Sequence, residues 1–387
     1  MSRENRETDP QLEDVLPLHV GGKTRMVSRV RLKTVADLRR IYTPGVALVS
    51  KMIEAEPEQI YRYTSIGGTV AVITNGTAVL GLGDVGVYAA MPVMEGKAVI
   101  LMEMVDISAV PLLLDTHEVD AFVEAAALVA PTFGAILLED VAAPMCFEVE
   151  ARLKERLDIP VFHDDQHGTA VVVLAALINA LAASGKRAAD VSVAMNGAGA
   201  AGSAVARFLL DYGVRNVVLC DRLGAVYRGR RERMNPAKEQ IAAETNIENE
   251  QGSLADVMKG KDIFIGVSSA GLVTKDMVRS MAPEPIVFAM ANPIPEIWPH
   301  EAIEAGAVAA VDGRNLNNAL GFPGIFRGAL DARATDINEE MKVAASLALA
   351  EQAREGELVP DFMDRQVHRR VADAVAAAAR TSGVARG

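Results

Sequence analysis

The chain has 387 residues, 50% of them hydrophobic and 23% charged, which is enough apolar material for two ordinary domains and too much for a disordered polymer. A formal net charge of -12 argues against nucleic acid as a partner, because phosphate binding needs a basic face strong enough to overcome that background. Two cysteines, Cys146 and Cys220, are too few for a disulfide framework and read as buried thiols in a reducing, cytoplasmic compartment.

Residues 1–14 are rich in charge and lack the apolar core of a signal peptide, so a flexible tail and no export are expected. A first domain is expected over 15–159. Apolar runs at 70–74 and 78–82 flank Asn75-Gly76, a strong hairpin signal. Helical spacing follows at 121–130 and 148–157, the second ending before Pro160. The longest apolar stretch, 170–183, is broken by Asn179 and falls short of the roughly 18 residues of a membrane span, so no membrane association is expected. From about 190 the pattern changes to short apolar runs at 191–195, 217–220, 263–267, 286–290 and 307–311, alternating with helix-like segments such as 203–212. That is how a parallel sheet with crossover helices reads. An alanine-rich helix at 367–380 and a short flexible tail close the chain, and no internal repeat is visible.

The pattern G-x-G-x-x-G occurs twice, at Gly81, Gly83 and Gly86 and at Gly197, Gly199 and Gly202. Each copy has an acidic residue about 20 positions on, Asp106 and Asp221 respectively. Context separates them. The second copy follows an apolar strand and opens a helix, whose N-terminal amides would face a pyrophosphate, and Asp221 ends the next strand where a ribose-binding carboxylate belongs. The dinucleotide loop is therefore Gly197, Ala198, Gly199, Ala200, Ala201 and Gly202. After the first copy, Pro92 falls where a continuous helix needs a backbone N–H, so that turn is expected to shape a substrate pocket. The fold expected is α/β: an N-terminal mixed α/β substrate domain, then a Rossmann-type doubly wound domain over 160–387 with C-terminal helices. Asp221 favours NAD, while adjacent Arg222 and the run Arg228, Arg230, Arg231 and Arg233 leave NADP open. That run otherwise reads as a solvated surface.

Glu139 and Asp140 end one apolar run, and Asp164 and Asp165 end another at 159–162. If both strand ends meet, three or four carboxylates converge, and their repulsion calls for a divalent cation, Mg²⁺ or Mn²⁺ for an all-oxygen set. Two other readings stand beside this one. His163 and His167 suit a mixed zinc or iron site, and Asp165 suits the N-cap of a helix running through 169–180.

Taken in order, Tyr42-Thr43-Pro44-Gly45-Val46-Ala47, Leu80-Gly81-Leu82-Gly83-Asp84, Met94-Glu95-Gly96-Lys97, Glu139-Asp140, and Phe162-His163-Asp164-Asp165 before Gly168-Thr169-Ala170 form a specific set. With Ala291-Asn292-Pro293 and Asn317-Asn318 ahead of Phe322-Pro323-Gly324, the chain resembles the short bacterial-type malic enzymes over nearly its whole length, in the form without a C-terminal phosphotransacetylase-like extension. The resemblance implies Glu139, Asp140 and Asp165 as metal ligands with Asp164 supporting, Tyr42 and Lys97 as catalytic residues, and Asn318 at the substrate carboxylate. Asn292 is implied at both substrate and cofactor. It also implies malate as substrate and a homodimer with cleft residues shared between chains. One departure stands out: longer animal-type relatives place a malate-gripping arginine where this chain has Ala78.

The implied chemistry is consistent from the bottom up. A divalent ion chelated by malate lowers the hydroxyl pKa, and Lys97, if its own pKa falls well below the lysine range, takes the proton as hydride leaves C2. Loss of CO₂ leaves an enolate, which Tyr42 protonates at C3. Two rivals remain at this level: a metal-independent amino-acid-type dehydrogenase, and a non-catalytic dinucleotide-binding module.

Overall fold

The computed structural model describes residues 14–79 and 81–386. Almost all of the expected N-terminal tail, together with Leu80 of the first glycine loop, lies outside the described residues. The described chain opens with an arm that contains helices α1 (Val35–Ile41) and α2 (Val46–Ala55), and no residue from Asp14 to Gly68 is buried. α1 forms for a local reason. The Thr34 hydroxyl accepts from the Asp37 amide while the Asp37 carboxylate accepts from the Thr34 amide, a capping box that satisfies two donors at the helix start.

Burial begins at β1 (Thr69–Thr74). Then come α3 (Val87–Val105), β2 (Ser108–Leu113), α4 (Val119–Val129), β3 (Ala135–Leu138), α5 (Met145–Arg156) and β4 (Val161–His163). The four strands are all parallel, in the order β2-β1-β3-β4. Helices cover both faces, so the strands are apolar throughout rather than alternating. Val70, Val72, Leu137 and Phe162 share a core with Met94 and Leu101 of α3, whereas Ala71, Ile73, Ile136 and Leu138 pack with Phe122 of α4 and Leu153 of α5.

Three local expectations are corrected here. The hairpin across Asn75-Gly76 does not form: Gly76 makes a turn at φ +68°, but the second strand reduces to a single bridge between Val79 and Gly83, and β1 pairs with β2 and β3. An isolated two-stranded ribbon is marginal, and a sheet covered on both faces buries more. Pro92 does not interrupt α3, because the carbonyl it leaves unpaired, four residues back, belongs to the exposed Tyr88 in the first turn. Asn179 does not break the apolar run either. It stays within α6 (Asp164–Ser184) and donates to the carbonyls of Ala350 and Leu358 at 3.0 and 2.9 Å. α6 is long and apolar enough by length and composition to cross a membrane, but most of it is buried as a core helix between the two sheets.

The second sheet is built from β5 (Ser192–Asn196), α7 (Ala200–Asp211), β6 (Asn216–Asp221), β7 (Gly224–Ala225), α8 (Pro236–Glu244), β8 (Ile263–Gly266), β9 (Ile286–Ala289) and β10 (Ala309–Asp312). Its order is β10-β9-β8-β5-β6-β7, parallel except for β7. Connections leave β5 toward β6 on one side and β8 on the other, so the switch point, with its crevice, lies beyond the C-terminal ends of β5 and β8. The first sheet includes Val161–His163, just past Ile159, and α6 is the crossing between sheets. Of the last helices, α9 (Phe322–Asp331), α10 (Glu339–Ala350) and α11 (Arg365–Thr381), both α9 and α11 pack against α3 of the first sheet. The segment after α11 is not loose: the Val384 carbonyl accepts from Thr335 N, Ala385 bridges Ala334, and Arg386 donates to the Asp158 carbonyl.

Cys146 and Cys220 are both free and buried, and burial pushes each thiol up to about 12. The native protein is expected to show no thiol reactive toward an aromatic disulfide at pH 8, and two after denaturation. A rapidly titrating native thiol would contradict this packing.

Candidate active site

The acidic residues meet because of strand register. Leu138 of β3 pairs with His163 of β4, so the residues that follow, Glu139-Asp140 and Asp164-Asp165, emerge side by side at the C-terminal edge of the first sheet. One ligand oxygen each from Glu139, Asp140 and Asp165 lie within 4.8 Å of one another. Asp140 takes a left-handed backbone at φ +54°, which costs a non-glycine residue roughly 1–3 kcal/mol. That turn brings its amide within 2.9 Å of Asp165 Oδ2, to which it donates.

Lys97 points into the same cluster from the middle of α3. It is ion-paired with Asp164 and, at 3.0 Å, with Glu139, and lies 4.5 Å above the Phe322 ring. Asn318 Nδ2 donates to Asp164 Oδ2 at 2.6 Å. Asp164 itself folds back over its own helix, and a Cβ at Gly168 would lie 1.9 Å from Asp164 Oδ1. Position 168 is glycine because that carboxylate occupies the space a side chain needs.

Burial alone would lower the Lys97 pKa, but the carboxylates of Asp164, Glu139 and Asp165 outweigh it and hold the ammonium above the ordinary lysine range. This is opposite to the direction expected of a base. The cause is charge balance, since three carboxylates act on one ammonium. Glu139 is raised well above the carboxylate range, first by burial and then by its acidic neighbours, against the pull of Lys97. Glu139 Oε2 and Asp164 Oδ1 are buried without a hydrogen-bond partner. A cluster of buried oxygens short of positive charge fits a hard divalent cation such as Mg²⁺ or Mn²⁺. The imidazoles do not join it. His167 turns to Glu150, and His163 Nε2 stands 3.6 Å from Asp165 Oδ2, beyond hydrogen-bond reach.

Across the crevice, the second glycine loop has a steric reason for two of its three glycines. Gly197 turns at φ +121° against the Val267 carbonyl, and a Cβ at Gly202 would strike the Gly197 carbonyl oxygen at 1.7 Å. Gly199 faces open space, and as N-cap of α7 it adds no side-chain cap, which leaves the helix-start amides clear for a pyrophosphate. The loop thus presents Ala198, Ala200 and Ala201 between Gly197 and Gly202, neither of which has room for a side chain. The first glycine loop reaches over from the other domain, where a Cβ at Gly81 would come within 3.2 Å of the Asn292 carbonyl. Asn292 Nδ2 is held only by long contacts, 3.5 Å to the Met290 carbonyl and 3.4 Å to that of Gly313, and is available to a ligand.

Asp221 ends β6 as anticipated, but its carboxylate is already engaged. Arg230 Nη2 donates to both of its oxygens at 2.7 Å and Lys238 Nζ to Oδ2 at 2.5 Å. Arg230, expected in a solvated run, is buried, with Nη1 and Nε bonded to the carbonyls of Ala225 and Glu232; Arg228, Arg231 and Arg233 are exposed. Sequence reading also missed Glu296. It is fully buried and its carboxylate accepts the amides of Ser268 and Ala291, both at 3.0 Å, pinning the loops after β8 and β9. A single glutamate in a loop carries no spacing signal that could have marked it. Tyr42 lies in the N-terminal arm, 65% exposed. None of its hydrogen bonds reaches the acidic cluster.

Comparison with known proteins matches both halves of this arrangement. Residues 22–154 match the family description "Malic enzyme, N-terminal domain" and residues 166–316 match "Malic enzyme, NAD binding domain". The chain belongs to the malic enzyme family. It is 52% identical to the bifunctional malic/malolactic enzyme of Bacillus subtilis (strain 168), over 97% of this chain and 94% of that one. It is 51% identical to the NAD-dependent malic enzyme of Geobacillus stearothermophilus, over 95% of this chain and 79% of that one. The crystal structure of the NAD-dependent malic enzyme of Thermotoga maritima superposes with a TM-score of 0.91 at 42% identity, covering 94% of this chain and 99% of that one. Malic enzymes named as NADP-dependent are also among its relatives, at 42–47% identity. Within the malic enzyme fold, the acidic cluster and the dinucleotide loop stand at the C-terminal edges of the two sheets.

Two substitutions probe this geometry. Gly168→Ala is expected to dislodge Asp164 from Lys97 and Asn318 and to lower kcat by about 100-fold or more while the protein stays folded, read by steady-state kinetics alongside circular dichroism. Gly202→Val is expected to abolish dinucleotide binding in a calorimetric titration, and retained affinity would contradict the packing of α7 against the loop.

Proposed function

We propose that this malic enzyme oxidises malate with NAD(P) and decarboxylates the product to pyruvate, using Mg²⁺ or Mn²⁺ held by Glu139, Asp140 and Asp165, with NAD the preferred acceptor. The observation that carries this reading is the convergence of those carboxylates with Lys97 at one sheet edge, facing the crevice of a glycine-loop dinucleotide fold. A bound divalent cation would supply the positive charge that draws in the hydroxyl and carboxylate of malate and offsets the charge left when CO₂ departs. Lys97 takes the hydroxyl proton in its neutral form. Its ion pairs with Glu139 and Asp164 hold it charged, so the base appears only when those carboxylates are engaged otherwise. Asn292 and Asn318 supply amide donors to the substrate carboxylate. Asp221 places negative charge near a 2′-phosphate and disfavours NADP, but Arg230 and Lys238 largely offset it, which makes the preference modest.

A homodimer supports the remaining role. The arm from Asp14 to Gly68 buries nothing and exposes Leu38, Ile41, Tyr42, Val46 and Leu48, an apolar surface of the kind that marks a contact with another chain. A second copy of this chain is the occupant we propose, with Tyr42 delivered to its neighbour's cluster to protonate C3. The cytoplasm is the proposed location, on the strength of two buried free thiols.

With malate and Mn²⁺, the protein is expected to reduce NAD faster than NADP and to form one pyruvate per NADH, and EDTA is expected to abolish both. Dinucleotide binding without metal-dependent reduction would sink the proposal. Tyr42→Phe and Lys97→Ala are each expected to lose at least about 100-fold in kcat. If sites are shared, mixing and re-equilibrating the two variants restores activity, whereas an inactive mixture assigns both residues to one chain. The identity to a bifunctional malic/malolactic enzyme favours a second outcome, in which bound NADH returns its hydride to pyruvate. Lactate accumulating without net NADH would establish it.

A further inference from the structure

We propose that Glu150, on α5 and outside the acidic cluster, is the positioning residue that sets the cation affinity of that cluster. The proposal rests on the reading above that Glu139, Asp140 and Asp165 hold a divalent ion.

Glu150 is 6% exposed, and its two carboxylate oxygens bracket the turn that carries Asp164 and Asp165. Oε1 accepts the backbone amide of His163 at 3.1 Å. Oε2 accepts Gln166 Nε2 at 3.1 Å and His167 Nε2 at 2.9 Å. The start of α6 has no side-chain cap of its own, and Glu150 supplies from a neighbouring helix the acceptor for the N-cap amide of His163 that the third-position glutamate of a capping box normally provides. A negative charge at that end also complements the dipole of a 21-residue helix.

The protonation pattern follows from the partners. Lys342 Nζ lies 3.3 Å from His167 Nδ1, and an ammonium only donates, so Nδ1 accepts and Nε2 carries the hydrogen given to Glu150. Lys342, 4% exposed on α10, is itself paired with Glu339. Lys154 approaches Glu150 Oε1 at 3.9 Å and Asp336 at 3.2 Å. Three helices thus converge on the turn, α5 through Glu150 and α10 through Lys342, both meeting His167 of α6. Both of its oxygens are committed, so it is not a ligand. Without it, the His163 amide and the His167 N–H lose their acceptor in a buried site, which costs enough to make the turn shift. A shift of this turn moves Asp165 relative to Glu139 and Asp140, which follow the adjacent strand β3.

The test titrates Mn²⁺ alone into wild type, Asp165→Asn, Glu150→Ala and Glu150→Gln, following free Mn²⁺ by electron paramagnetic resonance, and measures NAD affinity on the same samples. Wild type is expected to bind Mn²⁺ and Asp165→Asn to lose it. Glu150→Ala is expected to weaken Mn²⁺ binding by about 10–100-fold, the range found for residues that orient metal ligands, with NAD affinity within twofold of wild type. Glu150→Gln keeps an acceptor for His163 and is expected to recover part of the loss. Unchanged Mn²⁺ affinity in folded Glu150→Ala overturns the proposal, as does equal weakening of Mn²⁺ and NAD. If Glu150→Ala does not fold, the same criteria apply to Glu150→Gln. If wild type and Asp165→Asn both fail to bind Mn²⁺, the metal reading itself has failed and this inference falls with it.

Discussion

Four carboxylates and one lysine gathered at one sheet edge constrain everything around them. With ligand oxygens no more than 4.8 Å apart, each pair among Glu139, Asp140 and Asp165 would repel by about 3 kcal/mol at an effective dielectric near 20 if both members were ionised, which is part of why Glu139 is raised above the carboxylate range. A fold does not assemble such a cluster by default. Here the parallel register of β3 and β4 fixes the four residues side by side, Asp140 accepts a left-handed backbone, and Gly168 gives up its side chain. Lys97 offsets part of the repulsion from α3, with Phe322 closing over its ammonium.

The features legible in the sequence are those with a local physical cause. Gly202 answers a steric demand from Gly197 only five residues away, so the spacing of the motif marked a strand-turn-helix loop. Glu139-Asp140 and Asp164-Asp165 stood out because paired charges directly after apolar runs mark strand ends. The misread features depend on distant partners. Asn75-Gly76 carries a true turn signal, but whether β1 continues into a hairpin or a parallel sheet is decided by residues 108–113 and 135–138. Arg230 reads as one of several surface arginines until β6 and β7 bring Asp221 and the Ala225 carbonyl to it. His167, two residues from Asp165, suggested a ligand, yet its ring is turned to a glutamate 17 positions earlier.

The two halves of the site are prepared to different degrees. The dinucleotide loop is complete within its own domain, since a strand, a helix start and three glycines suffice. The acidic cluster already holds its carboxylates and Lys97, whereas Tyr42, the proposed proton donor, belongs to an arm that has no core of its own. Local capping explains why α1 is helical; it does not explain where the arm rests.

The packing of α9 and α11 against α3 makes the nucleotide-binding sheet an insert in the first domain. The chain leaves through the start of α6 and returns through the turn at Asn318–Leu320 into α9. Both crossings lie in the active site, and the hydrogen bond from Asn318 to Asp164 joins them. A hinge built there has no lever arm between itself and the chemistry: any change in the angle between the two sheets is felt first by Asp164, and through it by Lys97. In this architecture, opening the cleft and loosening the contact between Asp164 and Lys97 are one movement.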